Sequence, residues 1–342
     1  MSQRALLLVN LGTPHSTDVA DVRRYLREFL GDPDVISLPA PLRFLLLEGI
    51  ILRTRPKKSA EAYRKVWTDR GSPLMWHSLD LVDRVRTRVA PGTRVELAMR
   101  YGSPSIHDVL ARLQKDGVDD ICVFPLYPQY SRASTKTVVT KLNLEARRLG
   151  YAPTLSWVPA FYDAPEFIDA FAAVGRRVLD TGTFDKVLMS FHGYPVRYLR
   201  EDDPSGAHCQ RRADCCDVDV AANHDCYKHQ CEVTGRALSA RLGLNHDDVE
   251  VCYQSRLRDN WVKPFTDTVV VDAARAGAKR LVVFCPAFVA DCLETLEEIA
   301  MRADEEFRAH GGESLTLVPS LNSDPAWVDA VVSLARAVSP AL

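Results

Sequence analysis

Apolar residues in this chain gather in short unbroken runs, and two of the runs share an outline. "LLLVNLGTP" (Leu6–Pro14) and "VLMSFHGYP" (Val187–Pro195) each give an apolar run, two residues, Gly, one residue and Pro. "GVDDICVFPLYPQYS" (Gly117–Ser131) and "GAKRLVVFCPAFVAD" (Gly277–Asp291) each give Gly, a polar step, an apolar run with Phe near its end, and a loop. Apolar runs without alternation are the signature of strands covered on both faces in a parallel sheet. Between them lie patterns of helical period closed by Gly, as in "SIHDVLARLQKDG" (Ser105–Gly117) and "PFTDTVVVDAARAG" (Pro264–Gly277). Strand–helix alternation repeated twice predicts an α/β protein of two Rossmann-like lobes with parallel sheets and a cleft between them.

With 342 residues the chain is long for a single core. The boundaries fall at 1–148 for the first lobe and 149–320 for the second. The segment 321–342 carries a final helix, for which packing on the first lobe is one expectation. In open parallel sheets ligands sit beyond the carboxyl ends of the strands. Those ends carry Asn10–Gly12, Arg100–Gly102, Tyr127–Gln129, His192–Gly193 and Gln254–Ser255.

Hydrophobic residues make up 46% of the chain and charged ones 26%, as in a folded soluble protein. A net charge of −2 gives no electrostatic footing for nucleic acid. No cleavage site follows the apolar start, which reads as a first strand, so the expected location is the reducing cytoplasm. One stretch stands apart: "PLRFLLLEGIILRTRPKK" (Pro41–Lys58), interrupted by Glu48 and ending in basic residues. It reads either as a buried helix or as a surface lip that touches lipid or an oily ligand, peripheral to the inner membrane.

Candidate chemistry begins with His192, whose imidazole titrates near neutrality and can take a proton from a weakly acidic N–H. In "FVADCLETLEEIAMRADEEF" (Phe288–Phe307), Asp291, Glu294 and Glu298 stand at i, i+3 and i+7. On an α-helix they share one face, either a solvated acidic face or a path for a divalent cation. Arg100, Tyr101, Tyr127 and Trp261 would suit a flat apolar ligand bearing carboxylates. Neither a P-loop nor a G-x-G-x-x-G motif is present. Five cysteines crowd between Cys209 and Cys231 of a chain that holds nine. A disulfide staple, a zinc knuckle and an iron–sulfur cradle are all readings of such a stretch.

Taken in order, "LLLVNLGTP", "VRRYLREFLGDPDVI", "KSAEAYRKVWTDRGSPL", "MRYGSPSI", "FPLYPQYSRAST", "SFHGYPVRY", "YQSRLRDNW" and "CPAFVADCLETLEEI" resemble the ferrochelatases over nearly the full length. The resemblance implies insertion of Fe(II) into protoporphyrin IX to give protohaem, the terminal step of haem biosynthesis. It implies that His192 accepts pyrrole protons and that Glu294 assists metal or proton transfer, both meeting the substrate iron. It further implies a porphyrin pocket of Leu11, Arg100, Tyr101, Tyr127 and Trp261, with Asp291 and Glu298 on a metal or proton path. Cys292 stands where animal relatives carry a histidine, and Leu11 where other branches carry methionine or tyrosine. Rival expectations are a cobalt or nickel tetrapyrrole chelatase of the same fold and a non-catalytic iron–sulfur or haem sensor.

The cysteine stretch belongs to an insertion at 204–227, and here the chain resembles a small bacterial group with an internal [2Fe–2S] cluster. Four thiolates are needed. The expected ligands are Cys209, Cys216, Cys226 and Cys231, with Cys215 as alternate. Zinc is the rival occupant, because His208, His224 and His229 interleave with the thiols. The animal arrangement is absent, with Arg132 at its internal position and no cysteine tail before Leu342.

Overall fold

The strands β1 (Gln3–Gly12), β2 (Arg94–Tyr101), β3 (Val118–Pro125) and β4 (Thr154–Trp157) form one parallel sheet in the order β2-β1-β3-β4. A second parallel sheet holds β5 (Lys186–His192), β6 (Val249–Gln254), β7 (Arg280–Phe284) and β8 (Ser314–Leu317) in the order β6-β5-β7-β8. The orders are the same once four is added to each strand number. The echo between Leu6–Pro14 and Val187–Pro195 is therefore an echo of position, since β1 and β5 fill the same place. This computed structural model describes residues 3–212 and 214–342.

Leu6, Leu7 and Leu8 of β1 are all fully buried, so both faces of that strand are covered, which explains its unbroken apolar run. On one face Leu7 and Val9 pack with Val109 and Leu113 of the helix Ile106–Lys115 and with Val138 and Leu142 of the helix Thr137–Arg148. Ser105 caps the first of these helices by accepting from the Asp108 N–H at 3.1 Å. In the second sheet Leu188, Val283 and Leu281 pack with Val270 and Phe307.

The chain divides into two compact units. One comprises the chain to Tyr127, Arg132–Pro159 and Val328–Leu342; the other comprises Pro128–Ser131 and Ala160–Trp327. The final helix, Pro325–Val338, thus contributes its first three residues to the second unit, with Trp327 against the rings of Phe161 and Phe167, and the rest from Val328 to the first.

Two sequence readings change. The stretch 41–58 is not a buried helix: its apolar residues Leu42, Phe44, Leu45 and Ile50 are 55–64% exposed, with Leu47 and Leu52 turned inward. The carboxylates of Phe288–Phe307 do not share an α-helical face, because the segment Glu294–Ala303 is a wide π-helix and Asp291 precedes it. Bonding from i to i+5 enlarges the turn, so a spacing worked out for 3.6 residues loses its phase. Among the described residues no helix is long and apolar enough to cross a membrane.

Candidate functional site

His192 is the last residue of β5 and pairs in register with Gln254, the last residue of β6. The main chain turns at Gly193, whose N–H donates to the Gln254 carbonyl at 2.7 Å. A Cβ at Gly193 would lie 2.7 Å from that carbonyl oxygen and 2.9 Å from the Trp261 ring, so only glycine fits. The His192 ring stands 6.4 Å from Trp261 and 6.2 Å from Phe288, centroid to centroid. Its Nδ1 lies 2.7 Å from the Gly193 carbonyl oxygen. A carbonyl can only accept, so Nδ1 carries a proton, and in the neutral form of the ring the lone pair is on Nε2. The His192 carbonyl in turn accepts from the Tyr227 hydroxyl at 2.8 Å.

Glu294 opens the wide helix, and its carbonyl accepts from Gln254 Nε2 at 2.9 Å. Its carboxylate meets the buried Cys292 thiol, which burial first and this charge second push well above the ordinary thiol range. The other two carboxylates are occupied by the protein. Asp291 accepts from Thr295 Oγ1 at 3.1 Å, the Ser320 N–H at 3.2 Å and Asn322 Nδ2 at 2.8 Å. Glu298 accepts from the N–H of Ser255 at 2.7 Å and from the Ser255 hydroxyl, with Arg302 at 3.7 Å.

In the other unit, Arg100 and Tyr101 end β2 and converge on Asp32, a residue that no sequence pattern singled out. The Arg100 guanidinium, 10% exposed, pairs with the Asp32 carboxylate and donates through Nε to Thr137 Oγ1 at 2.7 Å. The fully buried Tyr101 gives its hydroxyl to the same carboxylate at 3.0 Å, and Thr137 adds a third donor at 2.5 Å. Arg100 also stacks over the Tyr101 ring at 4.3 Å. Burial holds Tyr101 and Tyr127 as neutral phenols. The Tyr127 hydroxyl is buried with no hydrogen-bond partner, and Leu11 is half-buried. Asp32 stands in "FLGDPDVI", beyond the end of a helix and away from any strand end, where an acid gives no signal of partnership.

The insertion folds around Asp203, which accepts from the N–H groups of Ser205, His208 and Cys209, each at 2.9 Å. Cys209, Cys215, Cys216 and Cys226 are all buried. Cys215 and Cys216 bring their sulfurs to 3.9 Å. Cys226 sits at the N-terminus of the helix Tyr227–Leu242, where the thiols of Cys209 and Cys216 and two backbone N–H groups hold it far below the ordinary thiol range. Cys209 and Cys216 are pushed up in return. Cys231 lies deeper, fully buried, with the Tyr227 hydroxyl beside it. Two of the three histidines are spent on backbone carbonyls: His208 Nε2 on Cys215 at 2.7 Å and His229 Nδ1 on Cys216 at 2.9 Å. Among the described residues no three or more His, Cys, Asp or Glu side chains stand at the spacing a bound metal ion requires.

A model of the ferrochelatase family matches residues 3–338. The curated ferrochelatase of Stutzerimonas stutzeri (strain A1501) is 46% identical over 344 aligned residues, covering 100% of both chains. That of Azotobacter vinelandii (strain DJ / ATCC BAA-1303) is 48% identical, covering 98% of this chain and 99% of its own. Among solved structures, SirB from Bacillus subtilis with Fe3+ superposes with a TM-score of 0.57 over 99% of this chain and 98% of that one. At 11% identity that likeness concerns the fold alone. Matched from end to end at this level of identity, the chain belongs to the ferrochelatase family, enzymes that insert metal into porphyrin for haem synthesis.

Proposed function

We propose that this enzyme inserts Fe(II) into protoporphyrin IX to form protohaem, with His192 accepting the pyrrole protons and Glu294 steering metal or relaying protons. The supporting observation is the state of the His192 ring. With Nδ1–H held by the Gly193 carbonyl, Nε2 is the basic atom and its position is fixed by a glycine turn that admits no side chain. Metallation requires two pyrrole protons to leave and a desolvated cation to enter a ring whose lone pairs lie in its plane. A surface that holds the ring bent exposes those lone pairs, so binding energy is used to lower the barrier. Trp261, beside the His192 ring, offers an aromatic face to the macrocycle, and Leu11 and Tyr127 keep the pocket role that the resemblance implies. Arg100 is already neutralised in a buried pair with Asp32 and is poorly placed to take a propionate.

The insertion is read as the holder of a [2Fe–2S] group. The support is the donor chemistry: five thiols lie in one short stretch where four are needed, and Cys226 favours the anion that such a group takes. The ligands are read as Cys209, Cys216, Cys226 and Cys231, with Cys215, whose sulfur lies 3.9 Å from that of Cys216, as the alternate. Such a group supplies reversible one-electron chemistry; the insertion reaction itself is not a redox step. The exposed Leu42, Phe44, Leu45 and Ile50, followed by Arg53, Arg55, Lys57 and Lys58, would let a cytoplasmic enzyme rest on the inner membrane from which an oily substrate arrives.

The test is a visible spectrum of anaerobically purified protein before and after adding protoporphyrin and Fe(II). Broad sulfur-to-iron bands followed by conversion of free porphyrin to haem are expected. Conversion with Co(II) or Ni(II) but not Fe(II) would overturn the metal assignment. His192→Ala is expected to lose at least about 100-fold in turnover while porphyrin still quenches tryptophan fluorescence on binding. Turnover near wild type in that variant would remove His192 from the reaction.

A further inference from the structure

The dipeptide Gln254–Ser255 touches both residues assigned to the chemistry, although neither of its side chains has a role in it. Gln254, 2% exposed, pairs with His192 across the sheet and takes the Gly193 N–H on its carbonyl at 2.7 Å. From the same residue Nε2 donates to the Glu294 carbonyl at 2.9 Å. The amide orientation is fixed by its other end: Oε1 accepts from Ser190 Oγ at 2.9 Å and lies 3.5 Å from the Cys285 thiol. Only an amide offers an acceptor toward those two groups and a donor toward a carbonyl. Ser255 then grips the next turn of the wide helix, giving its N–H to Glu298 at 2.7 Å and its hydroxyl to the same carboxylate. It does so with φ at +61°, a left-handed conformation that a serine adopts only when its surroundings impose it.

We propose that Gln254 and Ser255 are positioning residues that set the placement of Glu294 relative to His192. They tie the end of β5 to the first two turns of the π-helix. The inference rests on the assignment of His192 and Glu294 made above. A π-helix is a departure from regular bonding, found at functional sites, and it stays in phase only where its neighbours hold it. Glu298 thereby has a use that requires no passing cation: it is the anchor of the second turn.

A mutant cycle between Gln254→Leu and Glu294→Gln, with haem formation as readout, tests the inference. Gln254→Leu alone is expected to lower kcat about 10- to 100-fold, with the KM for protoporphyrin changed less than about twofold. In the Glu294→Gln background the same substitution is expected to add less than about twofold, since the carboxylate it positions is gone. A loss that multiplies equally in both backgrounds would make Gln254 a general stabiliser and overturn the inference, leaving the assignment of Glu294 intact. Wild-type turnover in Glu294→Gln would overturn both. If Gln254→Leu fails to fold, Ser255→Ala replaces it in the cycle. That variant removes one hydroxyl and keeps the N–H to Glu298, so a loss of a few fold in kcat, confined to the background that retains Glu294, is the expected result. The same loss in both backgrounds would again overturn the inference.

Discussion

Gly193 shows how little room single residues leave around His192. A methyl group there meets a carbonyl oxygen on one side and an indole on the other. Gly193→Ala is therefore expected to destabilise by about 1–3 kcal/mol, read as a lower Tm, and to reduce turnover because the His192 carbonyl and ring must shift together. Tyr227 supports the same residue from the cysteine insertion. Tyr227→Phe leaves a buried carbonyl without its donor and should lower unfolding stability by about 1–2 kcal/mol in urea titration. In the other unit Asp32→Ala removes the counter-charge of a buried guanidinium, and about 3–5 kcal/mol of stability should go with it. Glu145 supplies a pH dependence. Burial raises its pKa, but Lys141 and His107 outweigh burial and hold it below 4.5. The folded state binds the proton more weakly than the unfolded chain, so this contribution is complete above the unfolded pKa and fades as pH falls below it. Stability of the native chain should decline between about pH 5 and pH 3, and Glu145→Gln should flatten that limb. Of the residues just named, only Gly193 stood in a motif whose purpose was evident from the sequence. Asp32, Tyr227 and Glu145 are unremarkable letters until the chain brings their partners to them.

Elements were legible wherever their period was regular. The unbroken apolar runs gave strands, and Ser105 and Gly117 bracketed a helix as their chemistry requires. The segment after β7 resisted the same treatment. Its apolar and acidic residues fit an α-helical wheel, and nothing local distinguishes i→i+4 from i→i+5 bonding. Gln254 and Ser255 bond to that segment from 40 and 43 residues away, contacts that no local pattern encodes. The insertion was legible as a cluster of thiols, but spacing could not say that Cys231 lies beside Tyr227 while Cys215 meets Cys216. If the insertion holds the proposed iron–sulfur group, Cys226→Ser or treatment with a chelator should make residues 204–226 sensitive to protease while the sheets keep their protection. Equal proteolysis with and without these treatments would mean that Asp203 and Asn223, not the thiols, hold the loop.

At the scale of the molecule, the repeated strand order places Leu11 and Tyr101 at carboxyl ends of the first sheet and His192 and Gln254 at carboxyl ends of the second. Right-handed crossovers make that the rule for parallel sheets and bring chemistry to one edge of each. The exposed apolar surface of residues 42–50 belongs to this scale too, because nothing among the described residues covers it. Vesicles with anionic lipid should sediment the protein, and Phe44→Ser with Leu45→Ser should weaken that partition about tenfold or more without changing turnover on detergent-dispersed porphyrin. Unchanged partition would remove the membrane from the account.

Sequence by itself determined the class of fold, the family and the place of His192 at a strand end, because burial on two faces, glycine turns and ordered motifs are written in consecutive residues. It determined neither what Arg100 is bonded to, nor the pitch of the helix that carries Glu294, nor which thiols meet. The bonds around Arg100, the π-helix and His192 join residues 35 to 105 positions apart: Asp32 to Arg100 and Thr137, Gln254 and Ser255 to the π-helix, Tyr227 to His192. A hydrogen bond constrains atoms in space and leaves no period in the chain, so only the folded backbone could decide them.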